Sequence, residues 1–181
     1  MKPVRITYFV HGTTTDNEKG IASGWNDVGL SDLGKKQSIE LKGLIKGKKF
    51  EAVFCSDLKR AVDSAKLTFG SGIIQDKRLR EINYGSFTGA ESRKVDSLMS
   101  RYIGKPFPDG ESYKDVEARL KSFLDDLLMK YPGKHVAIVS HRAPQLALDV
   151  LLKGKTWQQA MKEDWRLKKE WRPGWEYVLD K

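Results

Sequence analysis

The chain of 181 residues contains one cysteine, Cys55. No internal disulfide can form, so an oxidising compartment is not indicated. Histidine is also scarce, three in all. Neither residue type falls at metal-ligand spacing, and no metal or other cofactor is expected. No apolar run approaches the roughly 20 residues of a membrane span. The N-terminus enters a strand pattern at once, without an apolar leader and cleavage site. These absences predict a soluble, cytoplasmic protein with no membrane partner. There is no internal repeat and no low-complexity linker, and the length suits a single domain over residues 1–181.

Positive charge is plentiful. Lysine and arginine number 33 against 24 acidic residues, a net charge of +9. Much of it lies in runs such as Lys46-Gly47-Lys48-Lys49 and Arg166-Leu167-Lys168-Lys169. Such runs are usually solvated faces. The sharper reading is a field that draws in anionic substrates or binds nucleic acid without sequence preference.

The stretch Arg5 to Asn17 begins as a β-rich run and stops at His11-Gly12, followed by three threonines, Asp16 and Asn17. A buried strand ending in a polar, Gly-containing loop is where open α/β sheets place ligands. Donors and acceptors around one imidazole suit an anion better than a cation. The same residues read equally well as threonines capping a turn beside an incidental histidine.

Further along, Gly20 to Leu30 reads as surface loop. Ser31 caps a helix to about Lys46, with Leu33, Gln37, Leu41 and Leu44 or Ile45 on one face. Phe50 to Cys55 is a strand, and a helix follows it with Ser56 or Asp57 as cap. Ile73-Ile74 is a third short strand, and Leu79 to Gly89 is a loop. Ser112 caps the most regular helix, with Val116, Leu120, Phe123, Leu124, Leu127, Leu128 and Tyr131 at helical spacing, ended by Pro132-Gly133. His135 to Ser140 is a strand that stops at His141-Arg142, before a helix from Pro144. Trp175 to Leu179 is a last strand. The alternation predicts an α/β fold, a three-layer sandwich with a mainly parallel central sheet flanked by helices. Three strands then end near His11, Arg60 and His141, on one edge of that sheet.

These pieces resemble the histidine phosphatase superfamily, the phosphoglycerate-mutase-like proteins. Val10-His11-Gly12 with Asn17 is similar to its opening Arg-His-Gly block. Gly24 to Gly34, Ser56 to Ala61, Leu79 to Gly85 with Gly89, Pro108 to Ser112, and Ser140-His141 are similar to the later blocks, in the same order. The resemblance implies a phosphomonoesterase acting through a phosphohistidine on a small phosphorylated metabolite. His11 would be the nucleophile, Glu81 the acid and then base, and His141 a catalytic donor. Arg60, Asn17, Thr14 and Gly12 would bind the phosphate, with no metal needed. A phosphoglycerate-type mutase is the alternative within the family. Arg93, Lys94, Arg101 and Lys105 could serve it as carboxylate ligands.

One position departs from the resemblance: Val10 stands where the pattern has arginine. Losing a bidentate guanidinium weakens the phosphate site unless another cation replaces it. Arg142 is the candidate replacement. Without one, the chain would be a slow phosphatase or a non-catalytic phospholigand-binding protein. Cys55 reads as a core residue. Trp165, Trp171 and Trp175 read as packing or a lid over the site. No nucleic-acid module is recognisable, so nucleic acid is not an expected partner, whereas a homodimer is compatible with the sequence.

Overall fold

The computed structural model describes residues 2–168 and 173–180. Trp171, expected in a packing or lid role, lies outside the described residues. In chain order the elements are β1 (Val4–Val10), α1 (Thr15–Glu18), α2 (Asp32–Leu44), β2 (Ala52–Cys55), α3 (Lys59–Phe69), β3 (Ile73–Gln75), α4 (Ser92–Leu98), α5 (Tyr113–Lys130), β4 (His135–Ser140), α6 (Arg142–Lys153), α7 (Trp157–Lys162), α8 (Trp165–Lys168) and β5 (Trp175–Leu179). The strands form a five-stranded sheet in the order β3-β2-β4-β1-β5. Every pairing is parallel except that of β1 with β5.

The strand sequences dictate burial on both faces, as parallel central strands require. Ile6, Tyr8, Val136 and Ile138 point into one cluster with α5 and α6. Phe9, Ala137 and Val139 point into the other, with Leu41 of α2, Ile45 just beyond it, and Ala65 of α3. The expected three layers follow directly. In α5, Val116, Leu120, Phe123, Leu124, Leu127 and Leu128 are all buried. A reciprocal capping box between Ser112 and Asp115 starts that helix. Cys55 is buried, and burial, with Asp57 nearby, pushes its thiol up to about 12, so it acts as a small apolar residue. Among the described residues no helix is long and apolar enough to cross a membrane.

Two local expectations are corrected. Ser31 does cap α2, and Leu41 and Ile45 of the expected face are buried, but the rest of the buried face is Gly34 and Ser38. Leu33 and Leu44 are 50% and 61% exposed. Small residues win this face because the helix lies almost against the backbone of the loop after β1. A Cβ on Gly34 would stand 1.9 Å from the Thr13 carbonyl oxygen, and one on Gly12 would stand 2.4 Å from that of Gly34. The second correction concerns α3. Ser56 accepts from the Leu58 N–H, and Asp57 is committed to a two-bonded ion pair with Arg80. The first N–H of the helix, on Lys59, is met instead by Asp27 from the 20–30 loop. In addition, α6 starts at Arg142, so Pro144 falls within its first turn, where proline is tolerated.

Two glycines of α2 therefore separate packing from propensity. Gly43→Ala meets open space and is expected to be neutral or stabilising by up to about 1 kcal/mol. Gly34→Ala is expected to cost at least about 1–3 kcal/mol through overpacking. Urea unfolding of both variants checks this. Equal effects would show that the close approach of Gly34 to the loop is not a constraint.

Candidate active site

The pairing of β1 with β4 runs Val10 opposite Ser140. The next residue on each strand is a histidine, so His11 and His141 leave the sheet side by side. The His11 N–H donates to the Ser140 carbonyl at 3.0 Å. The two rings lie 5.0 Å apart, edge to face. Helices α2 and α3 follow β1 and β2 on one face of the sheet, and α5 and α6 flank β4 on the other. The chains leaving β1 and β4 therefore diverge, which opens a crevice beyond the carboxyl ends of the strands. Tyr8 fixes one wall: its hydroxyl donates to the His141 carbonyl at 2.6 Å and accepts from the His141 N–H at 3.0 Å.

The His11 Nδ1–H donates to the Gly12 carbonyl at 2.7 Å. A carbonyl can only accept, so this bond sets the tautomer and leaves a lone pair on Nε2. Burial, and next the positive charge of Arg60, push the ring down to about 3. His141 is fully buried, and both its ring nitrogens lack a partner among the described residues. Burial again comes first, followed by Arg60, in holding it well below the usual histidine range. Buried polar atoms are nearly always satisfied, so a buried ring with two free nitrogens marks a ligand position.

Arg60 lies in the first turn of α3 and is 2% exposed. It donates to the carbonyls of Asn26 and Gly24 at 2.9 and 2.7 Å, which ties the 20–30 loop over the site. Burial lowers its pKa and Glu81 partly offsets that, but a guanidinium stays charged. Glu81 places Oε1 against the N–H groups of Ile82 and Ala143, both at 3.0 Å. Ala143 is in the first turn of α6, where a carboxylate is favoured. Asn17 accepts from the Thr14 N–H through Oδ1, so its side-chain NH2 is the group left to donate into the crevice.

The crevice is a cavity of about 380 Å³ lined by Val10, His11, Thr13, Asn17, Gln37, Glu81, Arg142, Trp165 and Arg166. A narrower one shares His11, Asn17, Glu81 and Arg166 with it and adds Arg60. A third lies behind Val10, His11 and Gly12 against Gln37 and Ser64. His11, Asn17, Arg60 and Glu81 are thus brought together, with His141 against the His11 ring.

Three expected phosphate ligands stand differently. The Thr14 side chain is buried and caps α1 by accepting from the Asn17 N–H. The Gly12 N–H donates to Ser64 Oγ, and the close approach of the Gly34 backbone already requires glycine at this position. Arg142 does line the large cavity, but it is an internal ion-pair hub. Its Nε meets Asp164, and its NH1 meets Asp96 at 2.5 Å. Burial works against its charge, and the two carboxylates outweigh that and hold it protonated. It therefore offers no uncompensated cation. Arg93, Lys94, Arg101 and Lys105 line none of the three cavities.

Trp165 lines the cavity, in keeping with its reading as packing or a lid over the site, whereas Thr13, Gln37 and Arg166 line it without having been expected there. Thr13 was legible in principle, because Thr14 three residues before Asn17 has the spacing of a cap and leaves Thr13 outside it. Gln37 accepts from both the N–H and the hydroxyl of Thr13, at 2.9 Å each. No sequence signal places Arg166, because α8 is a single turn.

A neutral imidazole with a free lone pair, beside a buried guanidinium, a second imidazole and a carboxyl, can accept and release a phosphoryl group. Comparison with known proteins agrees. Residues 8–175 match the family model described as the Histidine phosphatase superfamily (branch 1). Phosphoserine phosphatase 1 of Hydrogenobacter thermophilus is 28% identical over 166 residues, covering 83% of this chain and 77% of that one. The 2,3-bisphosphoglycerate-dependent phosphoglycerate mutase of Methylorubrum populi is 30% identical over 164 residues, covering 81% and 77%. The solved structure of mycobacterial glucosyl-3-phosphoglycerate phosphatase superposes with a TM-score of 0.76 at 26% identity, covering 90% of this chain and 87% of that one. With the match spanning both histidines, Arg60 and Glu81, the chain belongs to the histidine phosphatase superfamily.

Proposed function

We propose that this chain is a phosphomonoesterase that hydrolyses a small phosphorylated metabolite through a phosphohistidine on His11. The observation that carries the reading is the His11 Nδ1–H bond to the Gly12 carbonyl, made by a ring held neutral beside Arg60. Nε2 attacks phosphorus, and the bond from phosphorus to the alcohol oxygen breaks. Glu81, as the acid, gives its proton to that oxygen. Arg60 and His141 meet the charge on the equatorial oxygens. Glu81, now a carboxylate, then takes a proton from water as the water oxygen attacks phosphorus. The P–N bond breaks, and inorganic phosphate leaves with His11 neutral again. Asn17 adds a neutral donor.

The relatives' names point to phosphoserine and phosphoglycerates as the substrate class to test. Hydrolysis is favoured over mutase chemistry by the lining of the site. A mutase has to hold a substrate carboxylate through both transfers, and Arg93, Lys94, Arg101 and Lys105 are absent from the three cavities. Glu81 within the crevice supports turnover over mere ligand binding, since a binder has no use for an acid.

Activity on p-nitrophenyl phosphate, phosphoserine and 3-phosphoglycerate is the direct assay. His11→Ala is expected to lose at least about a thousandfold in kcat, and Glu81→Gln about a hundred- to ten-thousandfold. Undiminished turnover in His11→Ala contradicts the proposal. Movement of phosphate between glycerate positions without release turns it into a mutase. The lowered pKa of His11 gives a second expectation. Unfolded histidine titrates near 6.5 and His11 in the folded chain near 3. Between these values the unfolded chain binds the extra proton, so this group removes stability as pH falls through the unfolded value. NMR titration should show the His11 ring neutral from pH 8 down to about 5, and an ordinary midpoint near 6.5 contradicts its burial against Arg60.

A further inference from the structure

We propose that Arg166, carried by α8, supplies the second guanidinium to the phosphoryl group at His11. This rests on the phosphohistidine reading for its chemistry, but phosphate binding, which needs no turnover, decides its test.

A count of charge around the crevice shows the need. The transferring group spreads negative charge over three equatorial oxygens. His11 and His141 are neutral. Arg60 already gives two N–H donors to the Asn26 and Gly24 carbonyls. Arg142 is outnumbered by Asp96 and Asp164. Val10, the residue directly before His11, presents an apolar side chain to the large cavity. Arg60 alone is a thin cationic complement for a dianion.

Arg166 fits the vacancy in this charge pattern. It lines both the large cavity and the narrower one that holds Arg60, and both contain His11. Its side chain is exposed and has no ion pair among the described residues. Its backbone is not left loose. Asp164, 1% exposed, accepts from the Arg166 N–H at 3.0 Å, and its carbonyl accepts from the Leu167 N–H at 3.1 Å. The same carboxylate grips Arg142. The chain Asp96–Arg142–Asp164 therefore pins α8 to α4 and α6 at the rim of the site. Trp165 packs on Trp175 of β5 at 5.6 Å, and its indole N–H is buried without a partner among the described residues. A second unpartnered donor thus lies beside Arg166 on the same turn. In this arrangement Arg142 is a positioning residue, and Arg166 touches the substrate.

The test is the affinity of the full chain for inorganic phosphate by calorimetry, with kcat/KM on p-nitrophenyl phosphate beside it. Arg166→Ala is expected to weaken phosphate binding by about ten- to a hundredfold, the worth of a charge-assisted bond, with thermal unfolding unchanged because the side chain is exposed. Val10→Arg in the Arg166→Ala background is expected to recover most of the loss, since it returns a guanidinium to the same cavity. Phosphate affinity in Arg166→Ala within about twofold of the parent overturns the proposal, as does a loss that Val10→Arg leaves unrepaired. If the parent binds phosphate through Arg166 and hydrolyses nothing, the phosphatase reading fails while the assignment of Arg166 stands.

Discussion

The register of β1 on β4 is the constraint on which the site depends. With Val10 opposite Ser140, the two histidines that follow emerge together at the sheet edge. The core enforces this register. Tyr8 and Ile138 belong to one apolar cluster, and Phe9 and Val139 to the other. A slip of one residue would exchange every side chain between the faces. Tyr8 adds a direct lock by bonding both the N–H and the carbonyl of His141 from the neighbouring strand. Positioning to within a hydrogen-bond length is thus obtained from packing that has no chemical role of its own.

That geometry sets the electrostatics. Two imidazoles held this close and this deep beside Arg60 are disfavoured as cations, so both keep a lone pair. A nucleophilic nitrogen needs this, and the Gly12 carbonyl selects which nitrogen carries it. Glu81 is joined to the same frame through the first turn of α6. The negative side of the balance is also local. Asp96 and Asp164 neutralise Arg142 within the structure, and their ion-pair chain fastens α8. The cation that was expected to act on substrate acts on the fold, and the segment it fastens carries the arginine exposed to the crevice.

Much of this was legible in the sequence, for identifiable reasons. Strands β4 and β5 and helix α5 were placed correctly because their apolar patterns are clear, and α5 is also bounded by Ser112 and by Pro132-Gly133. His11, Arg60 and His141 were grouped because each follows a strand of a predicted parallel sheet. The failures share a cause, which is that a partner distant in sequence decides the outcome. The buried face of α2 turns on the contact of Gly34 with Thr13, and the cap of α3 on Asp27. The role of Arg142 turns on Asp96 and Asp164, 46 and 22 residues away. Arg166 sat in a basic run that reads as a solvated face, and only the folded chain shows that it borders His11.

The central claim is that His11 carries the phosphoryl group during turnover. Glu81→Gln is the variant of choice, since it slows hydrolysis of the intermediate while leaving His11 and Arg60 in place. Incubation with p-nitrophenyl phosphate, an alkaline quench and peptide mass spectrometry read the intermediate directly. One phosphoryl group is expected on the peptide containing His11, formed in step with a burst of p-nitrophenol. Catalytic release of p-nitrophenol by the parent with no phosphorylated His11 peptide at any time point, or with the phosphoryl group on another residue, would contradict the claim.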